Sequence, residues 1–150
     1  MKLICIGHDY QYAVEQSLLA LFPTERPEYS EDVISPNCAE IRLDETAPGF
    51  FAAKATLTYD GKTGDGTSSA DLSAETDPYE LEGAKQRCVK LSFFEAARAI
   101  STETPPWGAL TGVRPGKLAA KLLESGKTIG ETDAILRDTY YVSDERRRLC

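Results

Sequence analysis

The chain has 150 residues, of which 41% are hydrophobic and 27% charged, a composition that indicates about one ordinary globular domain and excludes a disordered chain. The net charge is −7, and residues 1–77 hold 5 Lys and Arg against 14 Asp and Glu, so this half should repel nucleic acids and anionic membranes. No apolar run reaches the roughly 18 residues of a membrane span and no signal peptide is recognisable, so we expect a cytoplasmic protein that binds no membrane.

The chain begins with the pattern of a strand followed by a helix. Residues 2–7 predict a short buried strand. Asp9 is a candidate cap for the helix that follows, and Pro23 ends that helix. Its predicted apolar face consists of Tyr12, Ala13, Leu18, Leu19 and Phe22.

The middle of the chain predicts a β-hairpin and a long helix. A strand at 40–43 precedes a strand at 51–59, and Asp60-Gly61 is a strong signal for a hairpin turn. The Gly- and Ser-rich segment 62–72 predicts a weak edge strand or a mobile arm. Asp77-Pro78 then begins a helix that runs to about residue 100. Its predicted apolar face consists of Leu81, Ala84, Cys88, Leu91 and Glu95, widened by Phe94, Ala97 and Ala99.

The end of the chain predicts a run of short helices. Pro115 begins a helix that Gly126 ends, and a capping box at 128–131 begins another. The predicted class is therefore α+β, with a small mixed or antiparallel sheet and two packed helices, followed by a short-helix C-terminal extension. We expect an α+β accessory domain at 1–102 and a helical linker at 103–150 that leads towards a missing domain.

The junction before the third helix carries an unusual set of charges. With Pro115 as the first helical residue, Arg114 occupies the cap and Lys117 the first turn, where positive charge opposes the helix dipole. Gly112 leaves backbone N–H groups accessible to a ligand. The segment predicts either an anion-binding site or an ion pair between Arg114 and a neighbouring segment. Trp107 predicts either a core residue or an anchor in an interdomain interface.

A complete catalytic constellation is absent from the sequence. The four cysteines form no CxxC pair, which argues against a zinc or iron–sulfur site held by this chain alone. The Gly-Lys pair at 116–117 lacks the earlier Gly and the following Ser or Thr of a phosphate loop. His8 has no recognisable nucleophile to activate. We predict no catalytic, metal-binding or cofactor-binding residue in this chain.

Two stretches resemble a known enzyme family. Residues 107–118, Trp-Gly-Ala-Leu-Thr-Gly-Val-Arg-Pro-Gly-Lys-Leu, and 136–143, Leu-Arg-Asp-Thr-Tyr-Tyr-Val-Ser, are similar to segments upstream of the radical-SAM core in coproporphyrinogen dehydrogenases of the HemZ type. These enzymes belong with the oxygen-independent coproporphyrinogen III oxidase-like proteins. The resemblance extends from about residue 91 to 149, and over 1–80 only the strand–helix–hairpin order matches.

The resemblance implies an oxidoreductase of haem biosynthesis. In this family a CxxxCxxC motif holds a [4Fe–4S] cluster that binds S-adenosylmethionine, and the resulting radical starts the oxidative decarboxylation of coproporphyrinogen III. This chain has no CxxxCxxC, so neither cofactor is assigned to a residue here and the chain alone is expected to be inactive. The implied partners are a missing C-terminal radical-SAM domain and an anionic tetrapyrrole, whose propionates Arg114 and Lys117 are candidates to contact.

Two alternatives come from other functional classes. The chain could be a free-standing protein-interaction module that binds a partner through an exposed sheet edge. It could instead be a small regulatory nucleic-acid-binding protein, since the helices of 117–138 superficially resemble a helix-turn-helix. The second of these helices carries Glu131, Asp133 and Asp138 against Arg137 alone, which disfavours DNA, and residues 146–148 predict a solvated helix face.

Overall fold

The computed structural model describes residues 1–29, 35–100 and 115–148 of the chain. The chain divides into two compact units, Met1–Thr102 and Glu103–Cys150. The predicted α+β class is confirmed, because a four-stranded mixed sheet with helices packed against it is followed by short helices. In the parts of the chain that the structure describes, no helix combines the length and the apolar character needed to cross a bilayer.

The first unit consists of strands and two longer helices. Its strands are β1 (Lys2–Ile6), β2 (Cys38–Ala47), β3 (Phe50–Tyr59) and β4 (Lys62–Asp71), and its helices are α1 (Gln11–Leu21) and α2 (Pro78–Ile100). The second unit contains α3 (Pro115–Glu124), α4 (Ile129–Asp138) and α5 (Asp144–Arg147).

The strands lie in the order β1-β2-β3-β4. β1 pairs in parallel with β2, whereas the two following pairs are antiparallel. The β3–β4 turn has positive φ at both central residues, 51° at Asp60 and 77° at Gly61, as a two-residue type I′ hairpin requires. The segment predicted as a weak edge strand or a mobile arm is a regular ten-residue edge strand, so the mobile-arm alternative is wrong.

The hydrophobic core lies between one face of the sheet and the two helices. Val14 and Leu18 of α1 and Val89 and Phe93 of α2 are fully buried there. The strands contribute Leu3, Ala39, Ile41, Leu43, Phe51, Ala53, Ala55 and Leu57 to the same cluster. Charged side chains such as Arg42 and Lys54 alternate with these positions and are exposed, so the opposite face of the sheet is polar.

The first helix differs from the sequence prediction in its cap and its buried face. The residue before it is Tyr10, which makes no side-chain cap, so the predicted cap at Asp9 is wrong. Tyr12 is 74% exposed and Leu19 48% exposed, although both were predicted to be buried. These two residues lie seven positions apart on one face, and the core is instead contacted by the face that carries Ala13, Val14, Ser17 and Leu18.

The second helix packs on β3 and β4 through a face rotated from the predicted one. Asp77 Oδ1 accepts a hydrogen bond from the Tyr79 N–H (2.9 Å), which confirms the predicted helix start. Leu91 and Glu95 were predicted on the apolar face but are half-buried at its margin. The buried residues of this helix are Cys88, Val89, Lys90, Ser92, Phe93, Phe94, Ala96 and Ala97.

Two glycines bring α2 into direct contact with the edge strand. A Cβ on Gly64 would lie 2.4 Å from the Ala96 carbonyl oxygen, and a Cβ on Gly66 would lie 2.1 Å from the Ser92 carbonyl oxygen. No side chain fits at those distances, so β4 requires glycine where the helix crosses it.

Two helices of the second unit, α3 and α4, begin where the sequence predicts. Pro115 is the first residue of α3, and Gly126 follows it with φ 97°. Thr128 caps α4 by accepting a hydrogen bond from the Glu131 N–H (3.0 Å), and Ser143 caps α5. Among the residues of this unit that the structure describes, the buried core cluster consists of Ala119, Leu136 and Val142.

Candidate functional site

Of the four residues predicted for the junction site, the structure describes only Lys117. Trp107, Gly112 and Arg114 lie outside the described residues. Lys117 is the third residue of α3 and is exposed, and no acidic residue lies in the first turn of that helix. The positive charge of Lys117 at the helix start is therefore not neutralised within its own turn. Both alternatives for Arg114, an anion-binding site and an ion pair with a neighbouring segment, stay predictions.

A groove lies between α3 and α4 in the second unit. It has a volume of about 210 Å³ and is flanked by Leu123, which is 44% exposed, and Ile129, which is 80% exposed. Thr132 lines the groove and is 5% exposed, and its Oγ1 has no hydrogen-bond partner among the described residues. The groove is lined by Ala119, Leu123, Ile129, Thr132, Asp133, Leu136 and Arg147. Its surface is mostly apolar with one unsatisfied hydroxyl.

Arg147 lines this groove and makes a set of charge-assisted hydrogen bonds. Its Nε donates to Asp133 Oδ1 (2.9 Å), its Nη1 donates to the Val142 carbonyl (2.8 Å), and its Nη2 donates to Asp144. The side chain is 11% exposed. The solvated helix face predicted for residues 146–148 is therefore wrong at Arg147, because this guanidinium ties α5 to α4.

The imidazole of His8 is engaged by the backbone on both sides. Its Nε2 donates to the Ile41 carbonyl (3.0 Å), and its Nδ1 accepts from the Tyr10 N–H (3.1 Å). Burial lowers the pKa of His8 below its ordinary value, against the smaller opposing effects of the Ile41 hydrogen bond and the Asp9 charge. Since both ring nitrogens are occupied, this histidine connects β1, β2 and the start of α1, and neither nitrogen is available as a general base.

The first unit also contains a buried lysine that the sequence pattern did not single out. Lys90 lies in α2 and is 7% exposed, and its Nζ donates to the Gln16 side chain of α1 (3.0 Å). Burial lowers the pKa of Lys90, and the charge of Arg87 acts in the same direction. Lys90 is one of the buried residues of α2, and no motif in the sequence distinguishes it from the exposed lysines. Its contact with Gln16, which links α2 to α1, is visible only in the folded chain.

The described residues do not fit a metal centre. No three His, Cys, Asp or Glu side chains converge among them, and Cys5, Cys38 and Cys88 are free thiols. Burial raises the pKa of the Cys5 and Cys88 thiols, which keeps both in the protonated form that neither ligates a metal nor attacks an electrophile well. An iron–sulfur cluster therefore has no ligand set in the described part of this chain.

Comparison with known proteins gives one partial similarity. A stretch of 72 residues is 35% identical to the oxygen-independent coproporphyrinogen-III oxidase-like protein HemZ of Bacillus subtilis (strain 168). The stretch amounts to 47% of this chain and to 14% of that protein, so the chain spans much less than two thirds of the relative's length. No family model matches the chain, and no solved structure matches it. The predicted resemblance is thus supported over about half of the chain.

Proposed function

We propose that this chain is an accessory region of an oxygen-independent coproporphyrinogen-III oxidase-like enzyme and that it performs no chemistry by itself. The observation that carries the proposal is the 35% identity with HemZ over 72 residues. In this proposal the radical-SAM domain belongs to the same longer polypeptide and supplies the [4Fe–4S] cluster and S-adenosylmethionine, whose radical chemistry removes hydrogen from the substrate.

The chemistry of the described residues supports an accessory role. The three cysteines that the structure describes are free thiols, and both nitrogens of His8 are held by backbone groups. In the groove of the second unit, the Thr132 hydroxyl and the Arg147 guanidinium are suited to hydrogen bonding. We therefore assign this chain to packing against the catalytic domain or to shaping access to its substrate.

The proposal is tested first by the reading frame that follows codon 150. We expect it to continue and to encode CxxxCxxC within some tens of codons. A stop codon directly after Cys150 would remove the proposal and leave a free-standing interaction module as the better account. A continuing frame without a cysteine triad would contradict the radical-SAM assignment while leaving an accessory role intact.

The junction before α3 is proposed to contact the carboxylates of the tetrapyrrole. Lys117 is exposed at a helix start without a neighbouring carboxylate in its turn, and the helix dipole there favours an anion. In the full-length enzyme we expect Arg114→Ala and Lys117→Ala each to raise KM for coproporphyrinogen about three- to tenfold with kcat retained, because a charge-assisted hydrogen bond is lost.

Lys127→Ala is the matched control for these variants, since Lys127 is another exposed cation that follows the same helix. It should leave KM unchanged. If KM also stays unchanged in the Arg114 and Lys117 variants while their thermal stability falls, the residues form an internal ion pair, and the substrate contact is abandoned.

A further inference from the structure

The free edge of β4 presents a regular ladder of unpaired backbone groups. Tyr59 and Lys62 are partners next to the two-residue turn, so the N–H and C=O groups of Lys62 and of every second residue after it point towards β3. The alternate residues point their backbone groups away from the sheet. These outward residues are Thr63, Asp65, Thr67, Ser69 and Asp71.

Within the first unit, no residue that the structure describes covers this ladder. β4 is the last strand in the sheet order, and its outward N–H groups have no backbone partner among the described residues of the first unit. The strand has ten residues without proline or bulge, and the single charged residue in its interior is Asp65, which accepts a hydrogen bond from Thr56 Oγ1 (2.9 Å). Apart from this one charge, the interior of the strand lacks the proline, lysine and bulge that usually protect an edge strand from pairing.

Glu95 determines which kind of strand fits there. This residue lies on the β4 side of α2, since its Cβ is 2.7 Å from the position of a Cβ on Gly66. Its side chain is half-buried and makes no ion pair or hydrogen bond with a described residue. Leu91 lies one turn earlier on the same helix and is also half-buried. A strand added to β4 would meet an apolar residue and an unpaired carboxylate on its inner face.

A second copy of this chain does not match that surface. Two β4 strands that pair antiparallel over nearly their whole length, with outward residues opposite outward residues, place Gly66 opposite Gly66 or Ser68 of the copy. Glu95 beside Gly66 would then face its own equivalent, and two half-buried carboxylates would repel each other. The charge of Glu95 instead favours an incoming cation.

We infer that the free edge of β4 is a docking site for an extended segment of a partner protein that carries a basic residue, flanked by apolar residues, on the face turned towards α2. The segment adds a fifth strand to the sheet by hydrogen bonding to Thr63, Asp65, Thr67 and Ser69. Its basic side chain pairs with Glu95, and its apolar side chains contact Leu91. The inference rests on the sheet edge and does not depend on the proposed enzyme.

The test uses the full chain and two matched peptides, Thr-Val-Thr-Lys-Thr-Val-Thr and Thr-Val-Thr-Glu-Thr-Val-Thr, both capped at their ends. We expect the Lys peptide to shift the amide NMR signals of the outward β4 residues in a saturable manner, and the Glu peptide to bind at least about tenfold more weakly. Glu95→Gln should remove this difference between the peptides. Thr67→Pro, which removes an outward N–H, should abolish binding, whereas Thr67→Ala should retain it.

Three results would overturn the inference. The first is that neither peptide shifts the β4 amides. The second is a chain that is dimeric in solution with these amides protected from hydrogen exchange, which would assign the edge to a second copy. The third is a monomeric chain with the same amides already protected, which would assign the edge to a segment of this chain. If Thr67→Pro does not fold, the comparison of the two peptides on Glu95→Gln decides alone.

Discussion

His8 should make the stability of the first unit depend on pH. Burial lowers its pKa in the folded chain, so the folded state favours the neutral ring. The stabilisation is present above the ordinary histidine pKa of about 6.5 and is lost as the pH falls through the lower folded-state value. Protonation of Nδ1 also removes the acceptor for the Tyr10 N–H. We expect the free energy of unfolding, measured by urea titration, to fall between pH 7 and pH 5.

The matched variant is His8→Gln, which keeps an amide donor for the Ile41 carbonyl but does not titrate. Its unfolding free energy should be lower at pH 7 and should change less between the two pH values. An equally steep pH dependence in the variant would show that other groups, such as the carboxylates, cause the effect.

At the scale of elements, α2 can contact β4 directly because Gly66 of the strand has no side chain. Gly66→Ala places a Cβ 2.1 Å from a helix carbonyl oxygen, so either the strand or the helix must move. We expect a loss of about 2–4 kcal/mol in the free energy of unfolding, measured by denaturant titration. A loss below about 1 kcal/mol would show that the helix shifts freely on the sheet.

Gly83→Ala, in the helix α2 that contacts Gly66, is the control. A Cβ at Gly83 meets the end of the flexible Arg87 side chain at 3.4 Å and no backbone atom. Alanine is also the better helix former, so this variant should gain about 0.5–1 kcal/mol. The opposite signs of the two substitutions separate a steric requirement from a general preference for or against glycine.

The sequence predicted those elements whose ends carry their own chemistry. Asp60-Gly61, Asp77-Pro78 and Thr128 mark turns and caps through interactions with residues next to them, and the structure has each of them in place. It predicted the buried faces of α1 and α2 less well, because a helix with apolar residues on several sides does not reveal which side the sheet covers. Tyr12 and Leu19 were therefore predicted on the buried face, although the core contacts another face of α1 and both are exposed.

For the candidate sites, too, the sequence predicted what depends on neighbouring residues and missed what depends on contacts between elements. The position of Lys117 in the first turn of α3 followed from Pro115, a local signal. The roles of Arg147 and Glu95 depend on contacts between elements. Asp133 lies fourteen residues before Arg147, and Gly66 lies in another element than Glu95. No periodicity or motif in one chain encodes such pairings, so they become visible only in the folded chain.

At the scale of the whole molecule, the two units differ in the size of their cores. The first unit has a continuous cluster of buried residues from three strands and two helices, whereas three buried hydrophobic residues form the core cluster among the described residues of the second unit. A cluster of that size does not offset the conformational entropy of the segment 115–148. We expect residues 1–102 to unfold cooperatively as a fragment and residues 115–148 to lack stable helix alone, as measured by circular dichroism during thermal unfolding. A cooperative transition in the second fragment would contradict this.

The parallel pairing of β1 has a consequence for the order of folding. β2, β3 and β4 are joined by short turns, so their pairing closes small loops, whereas β1 reaches β2 only after α1 and the following segment have been traversed. Loop closure therefore favours the three-stranded meander as the earlier structure and β1 as the later one. In the native state the same asymmetry makes β1 and α1 the first cooperative unit to open, ahead of the hairpin strands. Native-state hydrogen exchange would register this as a lower opening free energy for the amides of β1 that bond to β2 than for those shared by β2 and β3.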